Sequence, residues 1–335
     1  MFDSGLGGLT VFREVAKARP DARYVYVADD AFFPYGSHGE TELVARVGGL
    51  MAELIETHRP DLIVIACNTA STLVLPHLRT RFSVPFVGTV PAIKPACVLS
   101  RTKRVAVLGT EATVSREYTR ALIRDFANGS EVALVGSAQL AAFAEEELNG
   151  APVADQLIAR EIAPCFIDAA GRRTDTVVLA CTHYPLLLER FTRLAPWPVT
   201  FVDPAPAIAR RVADLLGPPL SGEPPSPARI AFTSGRVPSL ALAAALAHFG
   251  MAAAWRADLP MGCDFNAMKT ALASSKPNLG GALDGERFTN GAANRSVQIH
   301  AAKRKFRPSR LADEVGSAVL RGVWRAAHAA SAKRR

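Results

Sequence analysis

Two stretches of this chain carry an apolar run that begins after an aspartate and stops at a cysteine: Asp61-Leu-Ile-Val-Ile-Ala-Cys67 and Asp175-Thr-Val-Val-Leu-Ala-Cys181. Apolar residues at nearly every position, rather than every second one, predict strands buried on both faces of a parallel sheet. Further short strands are expected at Arg23 to Ala28, Val84 to Gly88, Lys103 to Leu108, Glu131 to Gly136, Val199 to Val202 and Arg229 to Thr233. Helical spacing joins Leu9, Phe12, Val15 and Ala16 up to Pro20, and Leu43, Val47, Leu50, Met51, Leu54 and Ile55 up to Pro60. Helices are also predicted over Ala70 to Phe82, Val114 to Ala127, Gln139 to Leu148, Ala154 to Ala170, Leu186 to Leu194, a segment ending near Leu216, and Leu240 to Phe249. Strand and helix in alternation give an α/β protein with largely parallel sheets. The repeated Asp-to-Cys run suggests two similar three-layer domains, residues 1–97 with 205–250 and residues 98–204. Gly217 to Pro227 reads as a linker.

Each cysteine run ends at the carboxyl edge of its strand, where ligands bind in open α/β sheets. Two thiols delivered from equivalent strands can face each other across one small substrate. A thiolate is a base and a thiol an acid, so opposed thiols suit removal of a proton from one face of a carbon and delivery to the other. Such a reaction needs no metal or organic cofactor, but it needs the developing carbanion and the substrate carboxylates held in place. A cysteine at a strand end also serves as a small buried hydrophobe, which is the reading for Cys97, Cys165 and Cys263.

The chain opens on Asp3-Ser4-Gly5-Leu6-Gly7-Gly8 before a helix. Glycines there permit tight turns and bare N–H groups that suit a carboxylate. Only Phe2 precedes Asp3 within the strand that should support this loop; a start assigned too late would explain that. Asp3 also suits a helix cap.

Composition adds little until it is divided along the chain. The formal charge is +8, yet residues 256–335 hold 15 Lys/Arg against 6 Asp/Glu, so the basicity belongs to the tail. That tail is expected to be a poorly ordered extension, with electrostatic contact to nucleic acid as its functional alternative. Five cysteines without a Cys-x-x-Cys pair argue against a disulfide framework. The histidines lack the spacing of a metal site, and neither a secretory start nor a membrane-spanning run is visible, so a cytoplasmic protein is expected.

Five stretches in order resemble the cofactor-independent aspartate/glutamate racemase family: Asp3 to Val11, Asp29 through Pro34-Tyr35-Gly36-Ser37, Cys67-Asn68-Thr69-Ala70-Ser71, Gly109-Thr110 with Thr113, and Cys181-Thr182-His183-Tyr184-Pro185-Leu186-Leu187. The resemblance covers roughly residues 1–250. It implies interconversion of L- and D-glutamate for peptidoglycan synthesis, in two α/β domains with the site in the cleft between them, without pyridoxal phosphate, and in many members as a homodimer. It implies Cys67 and Cys181 as the two acid/base thiols, Asp3 as the carboxylate near the first, His183 as the imidazole near the second, and Glu145 as a further catalytic acid. Ser4, Pro34, Tyr35, Gly36, Ser37, Asn68, Thr69, Thr110, Thr113 and Thr182 correspond, with Asp3 and His183, to positions around bound glutamate. Histidine after the second Cys-Thr favours the glutamate branch over the aspartate branch, which places a glutamate there. Some members also bind DNA gyrase. Ser137-Ala138 stands where many members have Cys-Pro, and residues beyond about 256 have no recognisable counterpart.

Overall fold

The computed structural model describes residues 1–219 and 227–252. The first strands and helices are β1 (Phe2–Asp3), α1 (Leu9–Ala18), β2 (Val25–Ala28), α2 (Glu40–His58), β3 (Ile63–Ile65), α3 (Asn68–Arg81), β4 (Phe86–Gly88) and α4 (Ile93–Leu99). Next come β5 (Arg104–Thr110), α5 (Glu111–Ser115), α6 (Glu117–Phe126), β6 (Glu131–Ser137), α7 (Leu140–Leu148) and α8 (Asp155–Ile162). The chain continues through β7 (Asp168–Ala169), β8 (Arg172–Arg173), β9 (Thr176–Ala180), α9 (Leu188–Leu194), β10 (Thr200–Val202), α10 (Ala205–Leu216), β11 (Arg229–Phe232) and α11 (Leu240–His248).

Two parallel sheets result, ordered β11-β2-β1-β3-β4 and β10-β9-β5-β6. The unbroken apolar runs have a direct structural cause. In β5 and β9, Ala106, Leu108, Val177 and Leu179 enter the core under α7, α8 and α9. The alternate residues Val105, Val107, Val178 and Ala180 enter the opposite core under α4 and α6. A strand covered on both faces has no position to give to a polar residue.

β1 is short but central. Phe2 pairs with Val27 on one side and Ile65 on the other, and Asp3 pairs with Ala28. Chain order reverses across β1 and β3 in the first sheet, and across β5 and β9 in the second. A crevice opens at such a switch point because the neighbouring connections leave on opposite faces.

Several expected elements differ. The helix predicted from Val114 to Ala127 is two helices, broken at Arg116, whose backbone is extended (φ −71°, ψ 142°); the Thr113 carbonyl is taken by the Thr119 hydroxyl at 2.6 Å. The helix predicted from Ala154 to Ala170 stops at Ile162. A hairpin replaces its end, because Ala170 and Gly171 both adopt positive φ, the turn that matches strand twist. Helix α4 was not expected in text carrying two prolines, but Pro95 sits in its first turn, where no N–H is needed. Most of the Gly217 to Pro227 linker, the tail from 256 and Cys263 lie outside the described residues.

Candidate active site

Cys67 lies two residues beyond β3 as the residue that caps α3, with extended backbone (φ −138°, ψ 120°). Cys181 directly follows β9. Each thiol therefore leaves the carboxyl end of a switch-point strand. They share one electrostatic environment, since Cys181 is among the groups that raise the Cys67 pKa.

The Cys67 side is the more acidic in composition. Its sulfur lies 3.7 Å from Ser4 Oγ. Burial first, and the Asp3 charge second, push its thiol pKa well up; the Ala70 N–H and the Ser4 hydroxyl act the other way without offsetting them. Asp3 is fully buried, accepts the Gly8 N–H at 2.7 Å through Oδ2, and leaves Oδ1 without a protein partner. Asn68 Nδ2 is likewise buried and unpartnered. Buried polar atoms are almost always paired, and these two remain available as one acceptor and one donor.

Burial raises the Asp3 carboxyl to about 6, against the pull of the His183 charge and the Gly8 and Ser4 N–H groups. The folded state therefore binds this proton more tightly than an unfolded chain with a carboxyl near ~3.9. Parent stability falls as pH rises through that window, and the penalty is fully present above it. Asp3→Asn keeps the shape without the charge. It is expected to be more stable than the parent at neutral pH by at most about 3 kcal/mol, the gap closing toward about pH 4. Denaturant titrations across pH read this, and a gap independent of pH refutes it.

The Cys181 side is built around an imidazole. His183 Nδ1 lies 3.8 Å from Cys181 Sγ and Nε2 lies 2.9 Å from Glu145 Oε1. Burial pushes the His183 pKa down, but the hydrogen bonds to Cys181 and Glu145 prevail and hold it well above its ordinary value. Glu145 mirrors this: burial pushes it up, and the bond to His183, with the Leu6 N–H and Arg236, brings it below the ordinary range. The result is an ionised glutamate facing an imidazolium whose Nδ1 is directed at the Cys181 sulfur.

Three threonines join the two sheets. Thr69 in the first turn of α3 lies 3.0 Å from Thr110 Oγ1 and 3.3 Å from Thr113 Oγ1, and Thr110 donates to Thr113 at 2.9 Å. Thr10 makes a second join, donating to both the Gly7 and Thr182 carbonyls at 2.9 and 3.0 Å.

The glycine loop differs from expectation. Gly5, Gly7 and Gly8 are absent from the positive-φ glycines, so turn conformation does not require them. Close approach does. A Cβ on Gly5 would meet Glu145 Oε1, one on Gly7 would meet the His183 ring and backbone, and one on Gly8 would meet the Tyr26 hydroxyl, Ala66 and Asp3. The loop N–H groups of Leu6 and Gly8 do bind carboxylates, but those of Glu145 and Asp3.

Asp3, Ser4, Asn68, Thr69, Thr113, Thr182 and His183 are buried together with the thiols. The 34–37 turn stands apart: Pro34, Gly36 and Ser37 are exposed, and Ser37 Oγ closes its own turn on the Pro34 carbonyl. A Cβ on Gly36 would lie 3.7 Å from Thr110. The Tyr35 hydroxyl donates to Asp29 at 2.7 Å. Asp29 also takes Arg46 and Thr233 at 2.6 and 2.7 Å; this anchor, Thr10, Phe33 (its ring 5.6 Å from that of His183) and Arg236 went unrecognised in the sequence. Asp29 and Thr10 lie inside the stretches that carried the resemblance, whereas nothing local marks Arg236. Cys97 and Cys165 are buried in the hydrophobic cores. Among the described residues, no group of His, Cys, Asp and Glu is arranged to hold a metal, and no helix is long and apolar enough to cross a membrane.

Known proteins resemble this chain over most of the described residues. The chain is 57% identical over 219 residues to the glutamate racemase of Brucella anthropi, spanning 65% of this chain and 79% of that one. It is 52% identical over 254 residues to that of Brucella canis, spanning 75% and 91%. Its structure resembles that of Escherichia coli glutamate racemase solved with L-glutamate and the activator UDP-MurNAc-Ala, with a TM-score of 0.69 and 38% identity over 75% of this chain and 94% of that one. Residues 9–212 match the Asp/Glu/Hydantoin racemase model. With both thiols set at the switch points of its two parallel sheets, this chain belongs to the Asp/Glu/Hydantoin racemase family.

Proposed function

We propose that this protein interconverts L- and D-glutamate by two-base 1,1-proton transfer between Cys67 and Cys181. The observation that carries the reading is the pair of thiols leaving matched switch-point strands, one beside a buried carboxylate and the other beside a charged imidazole. In one direction Cys181 removes the α-proton as thiolate while Cys67, held protonated by burial, donates to the opposite face. The reverse direction exchanges their roles. His183 stabilises charge on Cys181, Glu145 orients His183, and Asp3 with its free Oδ1 attracts the substrate ammonium, whose positive charge in turn favours thiolate at Cys67.

Asn68 Nδ2, Ser4 and the Thr69, Thr110 and Thr113 hydroxyls supply donors for the two carboxylates, with Thr182 and the backbone of the Pro34, Tyr35, Gly36 and Ser37 turn closing the site. Fixed donors act on charge as it develops without reorganising, which is where most of the stabilisation of an enolate-like carbanion comes from. No step asks for pyridoxal phosphate or a metal.

The domain division that goes with this reading is residues 1–97 with 205–250 and residues 98–204. The product D-glutamate would feed cytoplasmic peptidoglycan synthesis, and the assembly would be a homodimer. The test is circular-dichroism detection of racemisation from either enantiomer without added cofactor; a purified, folded protein that leaves both antipodes unchanged sinks the reading. Contact of residues 256–335 with nucleic acid or DNA gyrase rests on charge alone. If it exists, deleting the tail abolishes a salt-dependent mobility shift; an unchanged titration removes it.

A further inference from the structure

The loop that follows β11 brings a cation to the back of the Cys181 half. Its residues are clasped by the acidic pair that follows β2: Thr233 Oγ1 donates to Asp29 Oδ1 at 2.7 Å, while Ser234 donates to Asp30 through N at 3.0 Å and Oγ at 2.5 Å. Held this way, Arg236 lies with Nε 2.9 Å from Asp30 Oδ2 and Nη2 3.8 Å from Glu145 Oε2. Its guanidinium carbon also stands 4.5 Å from the Phe232 ring centroid, which limits how it can swing. It lines a cavity of about 250 Å³ with Asp30, Phe33, Glu145, Glu146 and Asn149.

These contacts form a line. Arg236 meets the outer oxygen of Glu145, whose inner oxygen meets His183 Nε2, whose Nδ1 meets the Cys181 sulfur. A carboxylate engaged at only one oxygen can turn about its terminal bond, a broad and weakly restricted torsion. A cation at the second oxygen opposes that rotation.

We propose that Arg236 is a positioning residue for the Cys181 half of the site: ion-paired with Asp30, it holds Glu145 turned toward His183 and thereby keeps the imidazole on the thiol. The proposal rests on the two-thiol reading above. The charged groups that bear on this line are Asp30 from the turn after β2, Glu145 and Glu146 from α7, Asp3 from the β1 edge, and His183 and Cys181 from the β9 edge. Among these described residues Arg236 is the one cation besides the imidazolium. Glu145 senses it directly, as Arg236 is among the groups that lower its pKa.

The readout is the pH dependence of Cys181 alkylation by iodoacetamide in a Cys67→Ser background, quantified on the Cys181 peptide by mass spectrometry. Removing the cation with Arg236→Gln is expected to raise the alkylation midpoint by about half a pH unit, which is roughly a three-fold lower rate at a fixed pH below the midpoint. Arg236→Lys keeps the charge but lacks the fork that reaches Asp30 and Glu145 together, so its midpoint should fall between parent and Gln. Thermal melts verify folding. Equal midpoints in parent and Gln variants overturn the proposal, as does a Lys variant no closer to the parent than Gln. If the Gln variant does not fold, a Lys midpoint above the parent supports the proposal and one equal to it overturns it.

Racemisation of glutamate by the unmodified protein is scored separately. Its absence removes the substrate assignment while the thiol titration still decides Arg236. An active parent with unmoved midpoints removes only Arg236.

Discussion

Cys67→Ala and Cys181→Ala each cut racemisation of glutamate by about 10²–10⁴-fold, yet each leaves one enantiomer, a different one in the two variants, able to exchange its α-hydrogen in deuterium oxide. The expectation follows from the separate surroundings of the two thiols. Each has its own neighbours, Ser4 and Asp3 for Cys67, His183 and Glu145 for Cys181, so removing one thiol leaves the surroundings of the other in place. With one thiol gone, the other can still remove the proton facing it and return a deuteron to the same face. Inversion requires the missing acid. Loss of a positioned acid/base group costs about 10²–10⁴-fold, and both variants should fall by that order in racemisation monitored by circular dichroism. Proton NMR of each antipode in deuterium oxide reads the exchange. Exchange of both antipodes by a single-thiol variant would mean that one group serves both faces, and the two-base mechanism would be wrong.

Gly7→Ala is the second substitution with a large expected effect, although glycine 7 has no reactive group. Its added Cβ would stand 2.6 Å from both His183 Cγ and the His183 backbone nitrogen. A flexible side-chain end could yield, but this backbone is fixed: Thr10 ties the Gly7 carbonyl to the Thr182 carbonyl. Relief therefore comes from moving the loop and the His183 segment apart. Displacing catalytic groups by about 1 Å costs on the order of 10²-fold, and overpacking costs about 1–3 kcal/mol of stability. Gly39→Ala is the control, since its Cβ would meet nothing within 4 Å. Activity and denaturant midpoints of the two variants, measured side by side, distinguish close approach from a general preference for glycine. A Gly7→Ala protein as active and stable as Gly39→Ala would remove the argument.

Glu145 shows why part of the site is hidden in the sequence. Three glutamates in a row are chemically equivalent in text. On α7 they are about 100° apart around the axis, and each meets a different neighbour: Glu145 reaches Leu6 N and His183, Glu146 lines the adjoining cavity, and Glu147 pairs with Arg190. The family resemblance selected the first of them; only the packing of α7 against the glycine loop supplies the reason. The helix break at Arg116 and the hairpin after Ile162 were missed for a related cause. Both depend on how a turn is satisfied locally, by the Thr119 hydroxyl in one place and by Ala170-Gly171 in the other, and apolar periodicity carries no record of that.

The parallel α/β architecture, the two equivalent strands and the delivery of a thiol from each were legible in the sequence, because those follow from runs of adjacent residues and from motifs only a few positions long. The tertiary structure decided what stands beside each thiol. Gly7 and His183 are 176 positions apart, Leu6 and Glu145 are 139 apart, and Asp29 and Thr233 are 204 apart. The first two pairs exist only after two sheets have closed on a common crevice and the third only once β11 has docked beside β2, and burial in the folded protein raises the Asp3 and Cys67 pKa values while contacts from distant segments raise that of His183.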